Sequence, residues 1–186
     1  ILIVSVGYLS LVASFFFLQT SLDVSTRPDI SNLEPPTSQL FSGSSESQIA
    51  WEGLGQKGQE FISIKSDFAK KVKDPIRIYA GVNNETNLEK RVQSIMNDFE
   101  RTKAFDRSTI VLFTPSGSGW VSPVAVEAVE KLTKGDCVSI SLQYSNKQAV
   151  IQYIMDPQAA GRSSSLLFSR IRQRLDKIEG TKRPKF

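Results

Sequence analysis

The sequence predicts an α/β chain: a mostly parallel sheet with helices on both faces, three layers in all. Apolar, β-branched runs of strand length recur at Pro75–Val82, Thr109–Phe113 and Cys137–Leu142, with amphipathic helical spacing between them. Connections of that length are crossovers rather than hairpins. The middle run enters Thr114-Pro115-Ser116-Gly117-Ser118-Gly119-Trp120, after which Ser122-Pro123 opens a helix. Strand, small-residue turn and helix start form the arrangement by which α/β proteins hold negative charge. Glycines let backbone N–H groups approach a ligand, and the helix start adds unpaired donors. A tight βα turn without a ligand has the same spacing. No Lys-Ser/Thr pair follows the glycines, so this is not a Walker loop. An anion or oxyanion site remains.

In chain order, Ile1–Leu22 contains no charged residue and is long enough to cross a bilayer as a helix. It lacks the basic start and small-x-small end of a secretory signal. In the next twenty residues Arg27 is the only basic residue, against Asp23, Asp29 and Glu34, which points the C-terminal part away from the cytoplasm. Residues 23–47, rich in Ser, Thr and Pro, read as a tether. Apolar residues return at Gln48–Ile64, where Gly53, Gly55 and Gly58 spell G-x-G-x-x-G. No buried strand precedes them, so a structural turn or short helix is expected rather than a dinucleotide site. The ordered domain is therefore expected over 48–186.

Within it, Ile76, Ile78 and Ala80 alternate along the first strand. A helix over 87–104 buries Leu88, Val92, Ile95, Met96 and Phe99, with Glu89, Lys90, Arg91 and Asp98 elsewhere on its surface. Asn84-Glu85-Thr86 is formally a glycosylation sequon, a pattern too short to decide anything. The helix from Ser122 takes Pro123 at its first position, stops at Gly135 and turns Ala125, Ala128, Val129 and Leu132 inward. After the third strand, Gln143-Tyr144-Ser145 leads to a short apolar helix over 148–155. The last helix, 163–178, buries Leu167, Phe168, Ile171, Leu175 and Ile178, and the chain from Thr181 enters a fourth strand. In such sheets ligands bind beyond the carboxyl ends of strands, where Gly117–Trp120 and Gln143–Ser145 both fall.

The composition excludes several functions. With 40% hydrophobic and 23% charged residues the chain is ordinary globular material. The net charge of +4 gathers near the end, on the polar side of the last helix. That is a solvated face, so no nucleic-acid partner is expected. The single cysteine, Cys137, lies in a strand as an inert thiol. The chain has no histidine, so no Ser-His-Asp triad is completed here, and no histidine-based zinc site or cofactor is expected. Asp106, Asp136 and Asp156 lack the spacing of an acid/base couple and read as surface or cap residues.

Five pieces in order, WEGLGQKGQEFI (51–62), PIRIYAGV (75–82), ERTKAFDRS (100–108), TPSGSGWVSP (114–123) and GDCVSISLQYS (135–145), resemble a bacterial family of membrane-anchored α/β-hydrolases. In that family a multi-pass hydrophobic region precedes a serine-hydrolase-like domain. Ser116 and Ser118 stand where the family often has threonine, and Lys103 where it often has glycine. The resemblance implies a bacterial inner-membrane protein facing a lipid bilayer, with ester or lipid-like acyl substrates. It also implies that TPSGSGW is the loop supplying oxyanion-hole N–H groups, with Gly117, Ser118, Gly119 and Trp120 as candidates. In the family the strand that would follow Pro184 carries the nucleophile elbow G-x-S-x-G, with the acid and histidine later. None of these occurs in this sequence, so no catalytic residue is assigned within it, and an internal, catalytically incomplete fragment is expected. Ser116 and Ser118 sit in no such elbow and are rejected as nucleophiles. The alternative function is a membrane-tethered α/β module that holds an anion at the Gly117–Gly119 turn without chemistry.

Overall fold

The computed structural model describes residues 14, 32–66, 71–178 and 183–186. Strands β1 (Ile76–Ala80), β2 (Thr109–Phe113) and β3 (Cys137–Leu142) form a parallel sheet in the order β1-β3-β2. Val138 is in register with Ile76 on one side and Ile110 on the other. Around the sheet lie α1 (Gly55–Ile62), α2 (Leu88–Arg101), α3 (Pro123–Leu132), α4 (Ala149–Met155) and α5 (Ala159–Leu175). The expected α/β architecture is thus present. Among the described residues no helix is long and apolar enough to cross a membrane. The expected span at 1–22, Ser14 apart, and the first part of the tether lie outside the described residues.

The strand order fixes the layers. From β1 the chain passes over the place of β3 to reach β2, then returns to β3. Right-handed crossovers in opposite directions put their helices on opposite faces. Accordingly α2 and α5 pack on each other against one face. On the other, the Arg77 side chain of β1 reaches Glu130 of α3 and the Ile62 carbonyl at the end of α1. Since side chains alternate along a strand, Ile76, Ile78, Val138, Ile140 and Ile110 all face α2 and α5. There they bury Val92, Ile95 and Phe99 together with Leu167, Ile171 and Leu175, each contributing about 1.5–3 kcal/mol on burial. The opposite face carries Arg77, Tyr79, Ser139 and Ser141, polar and equally buried.

Three expectations about the helices are corrected, the first by that polar face. In α3 the buried residues are Val126 and Glu130, while Ala125 and Ala128 are exposed and Leu132 is 85% exposed. The helix is turned by about one residue, or about 100°, because the Glu130 carboxylate pairs with buried Arg77. In α2, Arg91 and Asp98 are buried with the apolar stripe instead of lying on the surface. Phe168 of α5, expected inward, is 47% exposed and stacks on Phe186 at 5.0 Å.

The stretch before Ser47 is also more ordered than its composition suggests. Phe41 forms a parallel bridge with Arg77 at the outer edge of β1, and the Ser42 N–H donates to the Arg77 carbonyl at 3.0 Å. Ser42 and Ser47 donate to the buried Asp98 carboxylate at 2.7 and 2.8 Å. Arg101 holds the same carboxylate and the Gln39 carbonyl. Serines that read as flexible here satisfy a buried charge. At the other edge Lys185 pairs with Thr109 in parallel, where the sequence places a fourth strand. The backbone of Lys103 is left-handed, φ 53°, a conformation that glycine adopts without strain.

Candidate functional site

The loop after β2 closes on itself. The Gly119 N–H donates to the Ser116 carbonyl at 2.9 Å and the Ser116 N–H to the Trp120 carbonyl at 3.0 Å. The Trp120 N–H donates to Ser116 Oγ at 3.3 Å. Two side chains from the sheet then fix the outer peptide planes. The Tyr79 hydroxyl donates to the Gly119 carbonyl at 3.0 Å, and Gln143 Nε2 to the Ser118 carbonyl at 3.1 Å. Peptide planarity means that holding a carbonyl also aims the N–H on its far side. Burial pushes the Tyr79 phenol far above its ordinary pKa, so it remains a neutral donor.

Gly119 is indispensable to this closure. Its φ is +95°, and a Cβ there would lie 2.3 Å from the Tyr79 hydroxyl and 3.0 Å from the Gln143 amide. Among the described residues the N–H groups of Gly117 and Ser118 meet no acceptor. Gly117 is buried and Ser118 half-buried, while the Trp120 side chain is 48% exposed. The turn thus narrows four consecutive candidates to two unspent donors.

Its position follows from topology. β2 leads to α3 on one face and β3 to α4 and α5 on the other, so the crevice between their carboxyl ends is the switch point of the sheet. Gln143, the residue after β3, spans it. Its Oε1 accepts from the Val82 N–H at 3.2 Å beyond β1. Gln143-Tyr144-Ser145 was legible as a strand end, but the parts played by Tyr79 and Gln143 were not. A tyrosine in a strand was the available signal, because a buried phenol needs a partner.

The other motifs resolve simply. Ser116 Oγ and Ser118 Oγ lie 3.4 Å apart, and no base among the described residues reaches either. The G-x-G-x-x-G is a packing device: a Cβ on Gly58 would lie 2.5 Å from the Tyr79 ring. The sequon side chain is engaged, with Asn84 Nδ2 donating to the Ala50 carbonyl at 2.8 Å and Oδ1 accepting from Gly81. Cys137 is buried, and burial pushes its thiol pKa up. Asp136 clamps the amino ends of the strands, accepting from Lys73 at 2.9 Å and the Ser108 N–H at 3.3 Å. Asp156 pairs with Arg162 on the surface. No group of three metal-ligating side chains occurs among the described residues.

A doubly wound parallel sheet with a glycine turn at its switch point defines an α/β protein with a crevice at the carboxyl ends of its strands. The chain matches the α/β-hydrolase family over residues 76–186 and the α/β-hydrolase family N-terminus over residues 4–64. The first match spans more than half the chain, which belongs to the α/β-hydrolase family. No curated protein and no solved structure matches it. The described parts of the two matched segments fold together: Ile49, Trp51, Leu54, Phe61 and Ile62 share one core with the sheet.

Proposed function

We propose that this chain is the anchored, oxyanion-loop-bearing part of a serine hydrolase acting on ester or lipid-like acyl substrates. The observation that carries the reading is the pair of unspent N–H groups, Gly117 and Ser118, on a loop whose Gly119 and Trp120 donors are consumed and whose Ser116, Ser118 and Gly119 carbonyls accept hydrogen bonds. A tetrahedral oxyanion carries charge that the ground-state carbonyl does not. Donors held in place beforehand therefore favour the transition state, by roughly 3 kcal/mol each. The nucleophile, acid and histidine are not among these residues, and Ser116 and Ser118 are not their substitutes. The uncharged stretch Ile1–Leu22 supports anchoring in a bacterial inner membrane. Resistance of the protein to extraction from membranes at alkaline pH is the expected outcome, and release into the soluble fraction would refute the anchor.

Ester hydrolysis by the full-length protein tests the loop. Ser118→Pro deletes one N–H and should lower kcat by about 10²–10³, while Ser118→Ala keeps the N–H and should stay near wild type. Equal rates for the two variants would remove Ser118 from the oxyanion site. The second reading, an anion held at Gly117–Gly119 without chemistry, uses the same donors. It predicts phosphate binding with no ester turnover by the wild type.

A further inference from the structure

Beside the glycine loop, the carboxyl ends of β1 and β3 border a second feature. Arg91, on the first turn of α2, is only 4% exposed. Its Nη1 donates to the carbonyls of Glu85 and Thr86, but Nε is buried with no acceptor. No carboxylate among the described residues forms an ion pair with it; Glu85 acts only as a more distant charge. A guanidinium does not shed its proton to escape burial, so it is a cation without an anion. It lines a cavity of about 280 Å³ whose other walls include Lys147, Tyr144 and Ser145. Ser145 is held in place, donating to Gln152 at 2.5 Å and accepting from the Lys147 N–H at 2.9 Å.

Tyr144 and Gln152 are shared with a larger hollow of about 420 Å³, whose walls include Val150, Tyr153, Pro157 and Ala160. The α4 helix over it is unusually apolar for a surface helix, with Val150 72%, Tyr153 71% and Ile154 73% exposed. A cationic compartment and an apolar one thus meet at Tyr144, the residue after the Gln143 that holds the glycine loop. We propose that the crevice binds an amphipathic acyl ligand carrying a phosphate or carboxylate group. The anion sits between Arg91 and Lys147, and the apolar chain lies in the hollow beneath α4. Placing the acyl carbonyl at Gly117 and Ser118 rests on the hydrolase reading; the anion site and the apolar hollow do not.

Calorimetric titration of the full-length protein, in nonionic detergent, with octyl phosphate, octanol and inorganic phosphate tests this without turnover. Octyl phosphate is expected to bind at least tenfold more tightly than either of the others. Lys147→Gln, on a half-buried residue, should weaken it several-fold, as should Arg91→Gln. Val150→Asp should weaken octyl phosphate and leave inorganic phosphate unchanged. Octanoate binding as tightly as octyl phosphate would extend the site to carboxylates, and weaker octanoate binding would restrict it to phosphates. Octyl phosphate binding no tighter than octanol, or wild-type affinity in Lys147→Gln, would overturn the proposal. Such a failure would leave the hydrolase reading standing on its own ester-hydrolysis test.

Discussion

Arg77 and Arg91 are buried to nearly the same depth, 2% and 4% exposed, yet their surroundings differ completely. Arg77 spends all five donors. Nε and Nη2 grip Glu130 at 2.7 and 2.9 Å, Nη1 bonds the carbonyls of Ile62 and Ile64, and Nη2 also reaches Ser66 at 3.0 Å. The Phe41 ring lies 5.1 Å from the guanidinium carbon. This arginine joins β1 to α1, α3 and the segment before them. Arg91 has two carbonyls, an orphaned Nε and a cavity. A buried charge that is fully bound is a structural joint, whereas one left without its anion at the carboxyl end of a sheet is positioned for a ligand.

The comparison can be broken most forcefully at the Arg77 joint. Arg77→Met should destabilise the full-length protein by about 3–5 kcal/mol, since it strands the Glu130 carboxylate, and Arg77→Met/Glu130→Leu should recover much of that loss. Denaturant titration reads both; a double variant as unstable as the single would show that the pair is not the joint. At the glycine loop, Gly119→Ala should cost about 2 kcal/mol or more, combining left-handed strain with the clash against Tyr79. The same substitution in a Tyr79→Phe background should cost less, because the obstructing hydroxyl is gone. Strict additivity of the two would contradict the contact.

Arg91→Met should change ligand-free stability by no more than about 1 kcal/mol, as removing an unpaired buried cation offsets the lost carbonyl contacts. A loss equal to that of Arg77→Met would make Arg91 a second joint. The smallest effect belongs to Asp136, at the opposite end of the strands. Burial alone would raise its pKa. Hydrogen bonds from Lys73 and the Ser108 N–H, with Arg107 at 4.0 Å, outweigh burial and hold the carboxyl below its usual range. Its contribution is complete above the unfolded-state pKa and is lost as pH falls through the lowered folded value. Asp136→Asn should therefore flatten the acid limb of the stability profile. An unchanged limb would place that dependence elsewhere.

Much of the scaffold was legible because it is written in periodicity. The β2 and β3 runs match their strands residue for residue, and Ser122-Pro123 opens α3 as read. Apolar patterning was silent wherever polar groups do the packing. Val126 and Glu130 displaced the expected face of α3, and Asp98 drew Ser42 and Ser47 into the fold. Arg91 and Asp98 fall at helical spacing with Leu88, Val92, Ile95 and Phe99, a signal that was present but masked by their charge. The glycine loop was legible as a place. Which N–H groups it leaves open follows from the bonds Ser116, Gly119 and Trp120 make among themselves, and the loop is held by Tyr79 and Gln143, far away in sequence.

The most direct test of the hydrolase reading is fluorophosphonate labelling of the full-length protein, with the modified residue mapped by mass spectrometry. Covalent labelling of a serine within a G-x-S-x-G sequence, unaffected by Ser116→Ala or Ser118→Ala, is expected. No labelling, or labelling of Ser116 or Ser118, would contradict it.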